Sequence, residues 1–165
     1  MSNKTYSAHD VARYFLAMTD PESNDVSNMK LQKLCYYAQG IVSAMRGSPL
    51  FSERIEAWDH GPVVPSLYQE YRNNGSSPIP VMQDFDGPML DDSDKKALKD
   101  IYDYYAQFSA WRLRNMTHDE RPWSDAYQRV DREIKFDELV SYFRPMIEDD
   151  YVMKVYGSEI VHQTA

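Results

Sequence analysis

Two histidines lie in turns where they could take part in acid–base or metal chemistry. His60 is part of the segment DHGP at 59–62, and His118 is part of THDE at 117–120. If the two turns meet, two imidazoles and three carboxylates, including that of Asp119, could bind a divalent metal ion or act as general acid and base. The two histidines are 58 positions apart, so no short ligand spacing supports this. Two other roles stay open: a hydrogen bond that fixes each turn, and contact with a partner.

Aromatic residues form a second candidate group. Trp58, Trp111 and Trp123 each lie beside a turn or at the end of a predicted helix. They could pack in the core, since a tryptophan buries roughly 150–250 Å², or they could line a groove, since Trp and Tyr are enriched at protein interfaces. The chain also has 13 tyrosines, more than one small core can bury with every hydroxyl satisfied. Several must be partly exposed, which favours an interaction surface.

The single cysteine and the common catalytic motifs give no sign of an enzyme. Cys35 cannot form an internal disulfide, and nothing near it in sequence would lower its pKa, so we interpret it as a small buried hydrophobic residue. The chain has no dinucleotide-binding glycine motif, P-loop, HExxH, GxSxG or EF-hand loop. We therefore expect a non-enzymatic protein with no cofactor and no metal site.

The elements that must position these residues are mostly helices. A helix that begins at Ser27 or Asn28 and ends at Gly47 has the clearest pattern, because apolar residues recur at three- and four-residue steps. We expect this helix at the centre of the core. Other helices are predicted to begin near Ser7, Pro65, Asp91, Ser109, Pro122 and Asp137.

Two short segments are predicted to be strands. Residues 53–58 alternate polar and apolar side chains, a second strand is expected near 79–82, and the DHGPVVP stretch at 59–65 should break the chain. The tail at 146–165 could add a strand, pack as a C-terminal arm or stay mobile. The prediction is a mainly α fold, a single compact domain over residues 1–165, with six or seven helices and a small β element.

Composition and charge narrow the class of protein further. The chain has 165 residues, 42% of them hydrophobic, and no apolar run long enough for a transmembrane span or a signal peptide, so we expect a soluble cytoplasmic protein with no membrane partner. Its net charge of −8 repels phosphate backbones and argues against direct nucleic-acid binding. The best basic cluster, within residues 112–135, is interleaved with acidic residues. An acidic chain would instead attract a basic protein surface.

Five segments are together more specific than any generic motif. They are LQKLCYYAQG at 31–40, PLF at 49–51, IEAW at 55–58, HGPVVPSLY at 60–68 and THDERPW at 117–123. In this order and spacing they resemble the Panacea domain, the SocA-like family often labelled phage-associated proteins. The resemblance extends over roughly residues 7–145, which is most of the chain.

The resemblance implies a helical antitoxin of a type II-like toxin–antitoxin pair, encoded by bacteria or their phages and active in phage defence. Members neutralise different toxins by direct binding, including synthetases related to alarmone enzymes and membrane-acting peptides. One described member is an adaptor that delivers its toxin to the ClpXP protease, and some relatives add a helix-turn-helix domain, for which this chain has no room. The alternatives are therefore a ClpXP adaptor or, from the histidines, a metal-dependent hydrolase that uses His60 and His118.

The family segments suggest where a toxin would bind. The segment at 31–40 has the pattern of a core helix, whereas the turns at 60–68 and 117–123 are polar, rigid and aromatic. Toxin specificity could also come from the variable surface or from the tail at 146–165. The candidate partner-binding residues are Trp58, His60, Pro62, Val63, Tyr68, Tyr71, His118, Asp119 and Trp123.

Overall fold

Eight helices and three short strands make up the part of the chain that the structure describes. That structure is a computed structural model, which describes residues 4–81, 85 and 89–164, with side chains as far as residue 157. The helices are α1 (Ala8–Met18), α2 (Asn28–Arg46), α3 (Pro65–Tyr71), α4 (Asp92–Tyr105), α5 (Ala110–His118), α6 (Arg121–Tyr127), α7 (Phe136–Phe143) and α8 (Asp149–Thr164). The strands are β1 (Ile55–Trp58), β2 (Gly61–Val63) and β3 (Glu133–Ile134). The predicted mainly α class with a small β element is confirmed.

Helix α2 is the central element, as its pattern predicts. The Ser27 hydroxyl accepts a hydrogen bond from the backbone N–H of Lys30 and begins the helix, and Gly47, with φ of 76°, ends it in the left-handed conformation. All its residues are buried except Met29, Ile41 and Arg46. Helices α4, α5 and α7 and strand β2 pack around it. A helix enclosed in this way must satisfy its own polar side chains within the protein.

The buried polar side chains of α2 form hydrogen bonds with the segments that pack on the helix. The side-chain oxygen of Gln39 accepts hydrogen bonds from the N–H groups of Leu50 and Phe51 at 3.0 and 3.1 Å, and its amide nitrogen donates to the Phe51 carbonyl at 2.8 Å. This contact joins the segments at 31–40 and 49–51. Cys35 is fully buried, as predicted, and burial raises the pKa of its thiol.

Gly40 allows α2 and α7 to approach closely. A Cβ atom at this position would lie 2.4 Å from Cε2 of Phe143, whose ring is buried in the core. At Gly157 on α8, the nearest atom to an added Cβ is 3.6 Å away, which is an ordinary contact. The two glycines therefore differ in how much space they leave for a side chain.

Replacing Gly40 with alanine is expected to destabilise the fold by about 1–3 kcal/mol, because the buried ring must move and the overpacking outweighs the gain in helix propensity. Gly157→Ala is the matched control and should be neutral or stabilising by up to about 1 kcal/mol. Urea denaturation of the two variants measures both effects. Equal stability changes would contradict the close approach of α2 and α7.

The three strands form one antiparallel sheet in the order β2-β1-β3. Ala57 on β1 is opposite Pro62 on β2, and Glu56 is opposite Glu133 on β3. The strand predicted at 53–58 is thus confirmed over residues 55–58. The stretch at 59–65 was predicted only to break the chain, but its residues 61–63 form the second strand of a hairpin. Its tight turn places Gly61 at φ of 111°, a conformation that favours glycine.

Three other boundary predictions are corrected. No strand forms at 79–81, where the N–H of Ile79 instead donates to the Val26 carbonyl at 2.8 Å, and residue 82 lies outside the described residues. The helix predicted to be capped by Asp137 has Lys135 as its N-cap residue. The chain segment at 149–164 is a helix, so the strand predicted as one option for the tail is wrong.

Helix α8 is joined to the core through a buried carboxylate. The Tyr156 hydroxyl donates to Oδ1 of Asp94 at 2.7 Å, and the Tyr6 hydroxyl donates to Oδ2 at 2.7 Å. Arg46 Nη1 lies 3.2 Å from Oδ2, and both side chains of this ion pair are buried. Asp94 therefore connects α8, α4, α2 and the N-terminal segment.

None of the helices in the described ranges has the length and apolar character that a membrane span requires.

Candidate functional site

A cavity of about 920 Å³ opens between the N-terminal half of α2, the β1–β2 hairpin, α3, the start of α5 and the segment at 130–132. Four of the predicted partner-binding residues line it: Trp58, His60, Val63 and Tyr68. Its volume lies at the upper end of the range typical of ligand sites, which is roughly 300–1,000 Å³. The cavity is thus large enough to receive several side chains of another molecule.

The floor of the cavity comes from the first turns of α2. Asn28 Nδ2 donates to the Tyr68 carbonyl at 3.1 Å, and its Oδ1 accepts from Gln32 Nε2 at 2.9 Å. Gln32 Oε1 in turn accepts from the N–H of Val64 at 2.9 Å. These bonds use the amide groups of both side chains to hold α3 and the end of β2 in place. The floor is therefore a fixed part of the scaffold.

Lys33 completes the floor as an amine inside the protein. The residue is 1% exposed, and its Nζ donates to the Pro62 carbonyl at 3.3 Å. A Cβ at Gly61 would lie 2.4 Å from Lys33 Cε, so only glycine allows the lysine to pass. Burial, together with the positive charge of Arg114, lowers the pKa of the Lys33 amine to about 7. The amine is thus partly neutral near pH 7.

Aromatic rings form the walls. Trp58 and Tyr68 meet edge to face, with ring centroids 5.0 Å apart, and Trp58 Nε1 donates to Glu56 Oε1 at 2.9 Å. Trp111 also lines the cavity, and 55% of its surface is exposed. The His60 ring lies 5.9 Å from the Trp111 ring. Both tryptophans line the same cavity, and we call the solvent-open space that they line the aromatic slot.

The mouth carries exposed groups on either side. Val130 is fully exposed, and Arg132, at φ of 55°, places its guanidinium 4.1 Å from the ring centroid of Tyr127. Arg72, at the end of α3, is exposed on the other side. An exposed valine and an exposed tryptophan that line the same cavity provide apolar surface that favours being covered by another molecule.

The remaining predicted residues do not line the cavity. The ring of His118 stacks on that of Trp123 at 3.8 Å, and Trp123 Nε1 donates to the Trp58 carbonyl at 2.9 Å. This pair holds the hairpin against α6. Tyr71 packs against the core, Asp119 is exposed at the end of α5, and Pro62 is buried in β2. Tyr71, Asp119 and Pro62 therefore lie outside the cavity, as His118 and Trp123 do.

The two turns with histidines do not assemble a metal centre. His60 faces Trp111, whereas His118 stacks on Trp123. Among the residues that the structure describes, no group of three or more His, Cys, Asp or Glu side chains could hold a metal ion. Partial burial lowers the pKa of the His118 imidazole, and the nearby Arg114 adds to the effect. The predicted cluster of two imidazoles and three carboxylates is therefore not formed by these residues.

Glu120 has a structural role that the sequence analysis did not identify. Its two oxygens accept hydrogen bonds from the hydroxyls of Tyr36 and Tyr37, at 2.9 and 2.8 Å. Burial raises the pKa of its carboxyl group to about 7. This contact joins the segments at 31–40 and 117–123. In the sequence, the contact is indicated only by the fact that both segments belong to the same set of motifs.

Several residues of the cavity were also missed. Trp111 was named only with the other tryptophans, and Gln32 and Lys33 were read as part of a core helix. The signal in the second case is that two polar residues interrupt the apolar pattern between Leu31 and Leu34. Among the other lining residues that the prediction lacked are Asn28, Arg72, Val130 and Arg132.

The chain thus folds as a mainly helical scaffold with an open cavity lined by aromatic rings. The chain belongs to the family described as Antitoxin SocA-like, Panacea domain, because the sequence model of that family matches residues 31–124, more than half of the chain. The match includes α2, the hairpin, α3, α4, α5 and the start of α6. The resemblance found in the sequence is thus confirmed.

One curated relative is similar over a shorter stretch. Antitoxin SocA from Caulobacter vibrioides (strain NA1000 / CB15N) is 44% identical over 50 residues, which are 30% of this chain and 27% of the relative. The matched stretch thus spans about a quarter of that relative. No solved structure matches the chain. Family membership supports an antitoxin role.

Proposed function

We propose that this protein is an antitoxin that neutralises a co-encoded toxin by direct binding, with the aromatic cavity and its mouth as the contact surface. The observation that supports the proposal is the exposure of Trp111 and Val130 at the edge of a cavity lined by Trp58 and Tyr68. Tryptophan and tyrosine are the residues most often found at binding hot spots. Of the other predicted residues, His118 and Trp123 hold the hairpin that carries Trp58 against α6.

The cavity has the composition expected at the centre of a partner site. A stable complex buries about 1,200 Å² or more in total, with an apolar centre and a polar rim. Here the aromatic slot supplies the centre, and Arg72, Asp131 and Arg132 supply the rim. The floor is fixed by hydrogen bonds, so little order has to be imposed when a partner binds.

The net charge of −8 contributes at longer range. An acidic antitoxin attracts a basic toxin surface and accelerates association, an effect that falls with added salt. We therefore expect a toxin with basic surface outside the contact itself. Its association rate should decrease as the salt concentration rises, while the dissociation rate changes less.

The central test is co-expression with the protein encoded by the adjacent open reading frame. If that protein arrests growth, wild-type antitoxin should restore growth and co-purify with it. Trp111→Ala should weaken the complex by about 30-fold or more, because truncating a hot-spot tryptophan costs about 2 kcal/mol or more. Tyr104→Ala is the matched control, since Tyr104 is also 55% exposed but does not line the cavity. Calorimetric titration of the purified proteins measures both.

Other outcomes assign other functions. Equal binding by both variants would contradict the cavity as the contact surface, provided that circular dichroism shows both to be folded. Rescue without a stable complex, together with a shortened lifetime of the toxin, would favour an adaptor that delivers it to ClpXP. A harmless neighbour that does not bind would contradict the antitoxin function.

A further inference from the structure

Two of the hydrogen-bonding groups that line the cavity can donate but not accept. Among the described residues, neither the Arg72 guanidinium nor the Trp111 indole N–H donates a hydrogen bond or forms an ion pair. Both groups can only donate. The amides of Asn28 and Gln32 are used within the floor, and Lys33 Nζ donates to the Pro62 carbonyl.

The carboxylates at the cavity already have partners. Glu56 accepts from Arg54 Nε at 2.7 Å and from Trp58 Nε1. Asp59 accepts a hydrogen bond from the Tyr127 hydroxyl and lies 3.8 Å from Arg132. The third carboxylate, that of Asp131, accepts from the N–H of Glu133 at 3.0 Å. In the described part of the chain, Arg72 is thus a cation of the cavity without a partner, whereas each of the three carboxylates accepts at least one hydrogen bond.

We propose that the cavity binds a peptide segment of the partner protein in which a bulky apolar side chain stands next to a carboxylate. The apolar side chain enters the slot between Trp58 and Trp111, and the carboxylate accepts hydrogen bonds from Arg72 at the mouth. This inference rests on the proposed function and specifies the chemistry of the toxin segment. The inference also distinguishes the net charge of the chain from the local charge of the cavity. The acidic chain attracts a toxin with a basic surface, and the cavity selects a segment of that toxin that carries a carboxylate.

The first test uses a displayed library of short random peptides, selected on the full-length protein. We expect enrichment of sequences with Trp, Phe, Leu or Met beside Asp or Glu, and loss of that enrichment on Trp111→Ala. Enrichment of sequences without a carboxylate would overturn the inference. So would the absence of any peptide that depends on Trp111.

The second test measures the affinity of the most enriched peptide by fluorescence anisotropy. Arg72→Gln should weaken binding about tenfold, the effect expected for a charge-assisted hydrogen bond at an accessible site. Arg121→Gln is the matched control, because Arg121 is exposed and does not line the cavity. Replacing the carboxylate of the peptide with its amide should weaken binding to wild type but not to the Arg72→Gln variant. If the amide peptide binds more weakly than the carboxylate peptide by the same factor in wild type and in Arg72→Gln, the proposed role of Arg72 is wrong.

The failure of this inference and the failure of the proposed function are distinguishable. If the adjacent gene product binds through Trp111 but the enriched peptides lack a carboxylate, the antitoxin function stands and the inference is wrong. If acidic apolar peptides bind through Arg72 but no toxin does, the inference stands and the function is wrong. Self-association of the chain that is lost on Arg72→Gln would place a second copy in the cavity and overturn the inference.

Discussion

Replacing Asp94 with alanine is expected to lower the free energy of unfolding by about 3–5 kcal/mol, the range for removing one partner of a buried ion pair. The substitution leaves the buried Arg46 guanidinium without its carboxylate and removes the acceptor of the Tyr6 and Tyr156 hydroxyls. In a protein of this size, each kcal/mol lowers Tm by about 2–4 °C. The loss would therefore consume a large part of the total stability, which is typically 5–15 kcal/mol.

Urea denaturation followed by circular dichroism measures the effect of Asp94→Ala. Asp103→Ala is the control, because its carboxylate is exposed and pairs only with Lys99 on the same helix, and it should change stability by less than about 0.5 kcal/mol. Tyr156→Phe removes a single hydrogen bond to Asp94 and should cost about 1–2 kcal/mol. This milder variant keeps the test possible if Asp94→Ala does not fold. A cost below 1 kcal/mol for Asp94→Ala would contradict the buried network.

The second large effect is a pH dependence of stability that originates at Glu120. Burial raises the pKa of this carboxyl from 4.5 to about 7 in the folded state. Its contribution to stability is therefore complete below pH 4.5 and is lost as the pH rises to and through about 7. The loss at pH 8 is on the order of 3 kcal/mol, since one pKa unit corresponds to about 1.4 kcal/mol.

Glu120→Gln should remove this pH dependence while retaining a hydrogen-bonding group for both tyrosines. Lys33, whose pKa is lowered to about 7, acts in the opposite direction, because its contribution is lost as the pH falls from 10.5 through about 7. The difference between wild type and Glu120→Gln cancels the contribution of Lys33. Between pH 5 and pH 8, that difference should move in favour of the variant by about 2–3 kcal/mol.

Free energies of unfolding at those two pH values check this expectation. Glu148→Gln is the control, because Glu148 is exposed and its carboxylate accepts no hydrogen bond from the described residues. Its stability should follow that of wild type at both values. Parallel pH profiles for wild type and Glu120→Gln would show that the carboxyl of Glu120 is not perturbed.

Local signals predicted most of the helices. Helix α2 is predicted by residues in or next to it: the Ser27 cap, the apolar spacing and Gly47. Helices α1 and α5 are likewise predicted by their caps, Ser7 and Ser109. The sheet was harder to predict because β2 and β3 have only three and two residues. Strands this short show no alternation, and they exist here because β1 provides their hydrogen-bonding partner.

The candidate site was predicted in part, because similar residues acquire different roles through long-range contacts. Trp111 and Trp123 both lie near helix ends, but Trp123 donates to a carbonyl 65 residues away and Trp111 is left open to solvent. Nothing in the neighbouring sequence distinguishes them. Glu120 likewise becomes a buried acceptor only because α2 brings Tyr36 and Tyr37 to it.

The floor and the mouth of the cavity differ in how freely they can change. The floor belongs to α2, the most enclosed helix, where each polar group also holds the fold together. The mouth is formed by exposed side chains on separate segments: Arg72 after α3, Trp111 on α5 and Val130 before β3. Exposed substitutions usually change stability by less than about 0.5 kcal/mol. The fold can therefore evolve, or be engineered, toward new binding partners by exchanging a few mouth residues while the scaffold stays constant.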